Sequence, residues 1–84
     1  MKIKNISSVT VQLETLLALR KETMTFVPET KIDPDNGEEY VSKIFCLEQQ
    51  RDFGVSPFMT VDLLPGYLQS IFPLGRVIVN AGKN

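Results

Sequence analysis

The chain has 84 residues, nine basic, ten acidic and no histidine, for a net charge of −1. That balance supplies no general pull on nucleic acid or on an anionic membrane. Cys46 is the only cysteine, which excludes an internal disulfide, and one thiol without histidine cannot build a structural zinc site.

Lys2–Asn5 and Val9–Leu13 read as short strands around a Ser7-Ser8 turn, with Val9, Val11 and Leu13 alternating with polar residues. Leu16–Leu19 is an apolar run that fits a strand or a helical turn equally well. Thr23–Val27 is rich in β-formers and meets Pro28, which suits an edge or a strand terminus, and Thr30–Asp33 extends it. Asp33-Pro34-Asp35-Asn36-Gly37 is the clearest turn, since Pro presets one dihedral and Asn and Gly tolerate positive φ.

Glu38–Leu47 carries two patterns. Tyr40, Val41, Ile44, Phe45 and Cys46 suit the return strand of a hairpin. Tyr40, Val41, Ile44 and Leu47 also form an i, i+1, i+4, i+7 stripe, with Asp35 or Asn36 as cap and two acids in the first turn. Gln49, Gln50 and Arg51 favour helix, so the expectation is a short helix over about 38–50. Phe58–Leu64 has an imperfect strand alternation, Tyr67–Phe72 fits one helical turn after Pro65-Gly66, and Arg76–Asn80 is a β-branched strand. The predicted class is β-rich α+β: one domain over 1–84, a small β-sandwich or partial barrel with one short helix.

Charge is distributed unevenly. Of 19 charged side chains, 16 lie in the first 52 residues, and only Asp62, Arg76 and Lys83 fall in 53–84. A small domain normally carries charge on every face, because water must cover each one. The low-charge segment 53–84, punctuated by Pro and Gly, is therefore expected to lie against another protein. A chain this short buries only about 60% of its unfolded surface, so a partner subunit is the natural source of extra stability. The candidate interface residues are Phe58, Met59, Leu63, Leu64, Tyr67, Leu68, Ile71, Phe72 and Leu74. Part of this set must serve as core.

Catalytic chemistry finds little support. A Ser or Cys nucleophile needs a base, usually histidine, and there is none. Cys46 sits in an apolar run, as a buried structural thiol does. The five glycines are scattered singly, so no phosphate loop exists. Asp33, Asp35, Glu38 and Glu39 are spaced too closely for a calcium loop and read as a solvated turn. No catalytic residue, cofactor or metal site is expected. Met1–Asn5 has no apolar stretch behind it, unlike a signal peptide. The longest uncharged run, Leu63–Gly75, contains Pro65 and Pro73 and is shorter than the roughly 20 residues a bilayer requires. A soluble protein of a reducing compartment is the expectation.

Lys4-Asn5-Ile6-Ser7-Ser8-Val9-Thr10-Val11-Gln12-Leu13, followed by Val27-Pro28-Glu29, resembles the opening of small tailed-bacteriophage structural proteins. Val41-Ser42-Lys43-Ile44 is similar to the Val-x-Lys-Leu helix that often follows there. The chain departs from that pattern in lacking a glycine beside Pro28-Glu29 and in carrying Leu16–Leu19 in place of a glycine turn. The resemblance implies a virion accessory subunit, made in the host cytoplasm, and reinforces the helix at 38–50; it transfers no site residue. Expected partners are other protein subunits, as a homo-oligomer or a larger head, tail or neck protein, with head decoration first. Neither nucleic acid nor membrane is expected. The alternative is a small regulator in the cytoplasm that docks on a host or phage protein.

Overall fold

Strands from both halves of the chain build one antiparallel sheet, seen in a computed structural model that describes residues 6–15, 20–57 and 59–82. The strands are β1 (Ile6–Thr15), β2 (Arg20–Ile32), β3 (Glu39–Cys46), β4 (Arg51–Phe53) and β5 (Arg76–Ala81), and a helix, α1 (Leu64–Ile71), precedes the last. Their order across the sheet is β4-β3-β2-β1-β5. The first four strands form a meander, and β5 returns to pair with β1. The β-rich α+β class read from sequence is the one the chain adopts. Its second layer, however, is α1 laid on one face, where a sandwich would place a second sheet.

Cross-strand partners share a face in an antiparallel ladder. Val9 lies opposite Phe26 and Val79, Val11 opposite Met24 and Val77, and Cys46 opposite Phe26. These residues form the face beneath α1, which adds the fully buried Leu64 and Leu68 to the core. Phe26 is central: Phe53 meets it edge-on at 5.7 Å between centroids, and Phe72 stacks at 6.4 Å. The open face is mixed, with Thr10 opposite Thr25, Glu29 opposite Lys43, and the apolar pair Val27 and Phe45 between them. Lys43 pairs there with Asp52 at 3.2 Å and Glu29 at 3.6 Å. Those carboxylates raise the Lys43 pKa, through the Asp52 hydrogen bond first.

The helix expected over 38–50 is instead β3 followed by a turn at Leu47–Gln50. The reason lies in a register shift: Glu29 pairs with Lys43 but Thr30 with Val41, so Ser42 is an extra, bulged residue. The bulge turns both Val41 and Ile44 into the core, three residues apart, which mimics a helical spacing. Tyr40 lies on the other face and Leu47 is exposed in the turn. Ser42 Oγ donates to the Glu29 carbonyl at 3.0 Å, tying the bulge down.

Pro28 ends no strand; it lies within β2, opposite Ile44. Pairing between β1 and β2 stops at Val9–Phe26, so the missing Pro N–H falls where β1 no longer runs alongside. Ser7-Ser8 is likewise a register shift inside β1 rather than a turn. Phe58–Leu64 yields no strand among its described residues; Val61–Leu63 is a single 3-10 turn leading into α1. The expected Lys2–Asn5 strand and the Leu16–Leu19 run lie outside the described residues. The Asp33–Gly37 turn forms as read, closed by Gly37 N–H to the Asp33 carbonyl at 2.7 Å with Gly37 at φ 73°. Asp33 Oδ1 and Asn36 Oδ1 accept from the Asp35 and Glu38 amides.

Candidate protein interface

Helix α1 begins where Pro65, with φ already helical and no N–H to satisfy, enters the first turn. Leu64 and Leu68, four apart, share the face that meets the sheet. Tyr67 and Phe72 pack beside them. Gln69 Nε2 donates to the carbonyls of Phe72 at 3.1 Å and Gly75 at 3.0 Å, fastening the turn that leads into β5. The Val41 amide donates to the Met59 carbonyl at 2.7 Å, anchoring the incoming segment on β3.

This architecture divides the candidate interface residues. Met59, Leu64 and Leu68 are buried in the chain's own core, with Tyr67 and Phe72 packed half-buried against it. None of the buried three is available to a neighbour. Leu63, Ile71 and Leu74 remain outside, 58%, 48% and 93% exposed. Phe58 lies outside the described residues.

Between α1 and the β2–β4 strands runs a cleft of about 350 Å³, walled by Phe26, Ile44, Phe53, Tyr67, Ile71 and Phe72. Arg51 stands at its rim, its guanidinium 4.4 Å above the Phe53 ring. The cation and the apolar walls together suit an apolar side chain with a polar or anionic end. Phe26, Ile44 and Arg51 as cleft walls carry no signal in the sequence, because three separate strands bring them to α1. The exposure of Ile32, Leu47 and Val79 carries no sequence signal either: Ile32 ends β2, Leu47 lies in the turn after β3, and Val79 is on the edge strand β5.

The remaining polar chemistry is structural. Glu48 accepts the Thr25 amide at 2.6 Å and the Thr25 hydroxyl at 2.8 Å. The amide bond is the main cause of a lowered Glu48 pKa. Cys46 is buried, its thiol directed to Glu48 Oε1 at 3.8 Å. A second concavity of about 370 Å³ borders the acidic turn between Asp33 and Tyr40. Among the described residues no group of three potential metal ligands converges, and no helix is long and apolar enough to cross a membrane. No protein-family model, curated protein or solved structure matches the chain.

Proposed function

We propose that the chain is a non-enzymatic structural subunit of a larger assembly, a phage-type virion accessory protein of the head, tail or neck. The observation that carries the assembly reading is the exposure of Leu63, Ile71 and Leu74 on a segment almost free of charge. A domain this small stabilises itself by burying such side chains, and three left in water have their natural cover in a neighbouring subunit. The apolar cleft beside Ile71 adds a socket for a side chain of that neighbour. The virion assignment rests on the sequence resemblance of the first half.

The test is co-sedimentation of the chain with purified particles, beside a variant carrying Leu63→Asp, Ile71→Asp and Leu74→Asp. The chain is expected in the particle fraction, and the variant is expected to fold yet remain free. A wild-type chain found only in the unassembled fraction overturns the virion role and leaves the regulator reading. A variant that still loads onto particles overturns the proposed contact surface.

A further inference from the structure

Among the described residues the sheet has two edges, and they differ. β4 contributes three residues, two of them the charged Arg51 and Asp52. β5 contributes six, Arg76-Val77-Ile78-Val79-Asn80-Ala81, with no charge after the first and no proline. Natural edge strands usually carry charge, proline or a bulge that prevents another strand from adding on. β5 has none of these over Val77–Ala81.

Which backbone groups face outward follows from alternation along the ladder. The Thr25 carbonyl accepts from the Leu47 amide at 2.9 Å and the Thr25 amide donates to Glu48, so both face away from β1. Met24 and Phe26 therefore face β1, where they meet Val11 and Val9. Thr10 and Gln12 in turn face β5 and meet Ile78 and Arg76. Val77 and Val79 are left with their N–H and C=O groups pointing out of the sheet. The Asn80 carbonyl, which accepts from Ser7 Oγ of β1 at 3.0 Å, fits the same alternation. Among the described residues nothing bonds to the main chain of Val77 or Val79 outside the β1–β5 ladder.

We propose that β5 pairs antiparallel with β5 of a second copy, about a two-fold axis through Ile78 and perpendicular to the sheet. The two sheets become one, with both helices on the same face. In this register Val77 lies opposite the partner's Val79, and each such pair exchanges two hydrogen bonds. Ile78 meets itself, and Arg76, the only charge, lies opposite Asn80, so no like charges are apposed. A strand that is self-complementary in both backbone and charge selects its own copy as occupant. Val79, 42% exposed on the helix-bearing face, gains cover from the partner's Val77. Leu74, at 93% exposure just before β5, is carried to the end of the partner's strand.

This pairing goes beyond the virion reading and does not depend on it, because it is read on the free chain. The decisive variant is Val79→Pro, which removes an outward N–H that bonds nothing among the described residues, a position where edge strands accept proline. Sedimentation of the wild-type chain over about a hundredfold concentration range is expected to show a dimer. Val79→Pro is expected to raise its dissociation constant at least about thirtyfold, the loss of two hydrogen bonds of ordinary net strength. Hydrogen exchange on the wild-type chain supplies a readout free of mutation: the Val77 and Val79 amides become protected as concentration rises. A monomer throughout the range overturns the proposal. So does a folded Val79→Pro chain that dimerises as well as wild type, or Val77 and Val79 amides whose exchange ignores concentration. Should Val79→Pro fail to fold, the exchange measurement decides.

Discussion

Gly75 sits where the turn after α1 presses against β1, and adding one methyl group there tests how tightly the helix layer is seated. A Cβ at this position lies 2.9 Å from Val11 Cγ1, 3.1 Å from Leu13 Cδ2 and 3.2 Å from Phe72 Cβ. Carbon atoms prefer about 3.5–4.0 Å, so all three contacts are too close. Val11 has little room to yield: it is fully buried and its branched side chain is stiff at χ1. The turn is held as well, by the Gly75 amide bonded to the Phe72 carbonyl at 2.9 Å. Overpacking of this kind costs about 1–3 kcal/mol. The smaller freedom of an unfolded alanine returns about 0.4–1 kcal/mol. Gly75→Ala should therefore destabilise by about 1–2 kcal/mol, lowering the melting temperature by about 5–15 °C in a domain of this size. Thermal unfolding followed by circular dichroism measures it. Gly66→Ala is the matched control, since nothing lies within 4 Å of its added methyl. As a helical position it should gain about 0.5–1 kcal/mol. In a Val11→Ala background the Gly75→Ala cost should shrink by about 1 kcal/mol, because the closest atom is gone. A Gly75→Ala chain as stable as wild type, or strict additivity with Val11→Ala, refutes the packing argument.

Urea unfolding should separate the two kinds of apolar residue on α1: Leu68→Ala costs about 2–5 kcal/mol, while Ile71→Ala stays below about 1 kcal/mol. Equal losses would remove the division between core and exposed surface. The Thr25 amide and hydroxyl hold the Glu48 pKa below the ordinary glutamate value, so that clamp is intact above the unfolded pKa and weakens as pH falls through the folded one. Glu48→Gln should flatten the decline in melting temperature between about pH 6 and about pH 3, and an unchanged slope would contradict it.

The elements legible in the sequence were those whose period matches their environment. Val9, Val11 and Leu13 alternate because β1 is covered on one face only, and Val77-Ile78-Val79 reads as strand because its β-branched residues are suited to little else. The turn at Asp33–Gly37 was legible through its residue chemistry alone. β3 carries a helical pattern in the sequence because one inserted residue, Ser42, replaces the strand's period with three across Val41 and Ile44. The candidate interface was legible only as a mixture. Leu63 and Leu64 are chemically identical neighbours, and only the direction of α1 relative to the sheet makes one surface and the other core. Arg51 and Phe53 acquire their place at the cleft from β4, a strand too short to announce itself.

The position of β5 beside β1 has a mechanical consequence. Ile6 opens β1 and Ala81 closes β5, and the two lie opposite each other at the same end of adjacent antiparallel strands. Tension applied across Ile6 and Ala81 does not load the β1–β5 ladder all at once. It opens the pairs in turn, from Ile6–Ala81 toward Gln12–Arg76, and each bond meets the load alone. β1 is held on its other side by β2 from Val9 onward, so the meander anchors one end of that pull while β5 peels away. The fold is thus compliant along one axis, and a neighbour that needs it taut must grip β5.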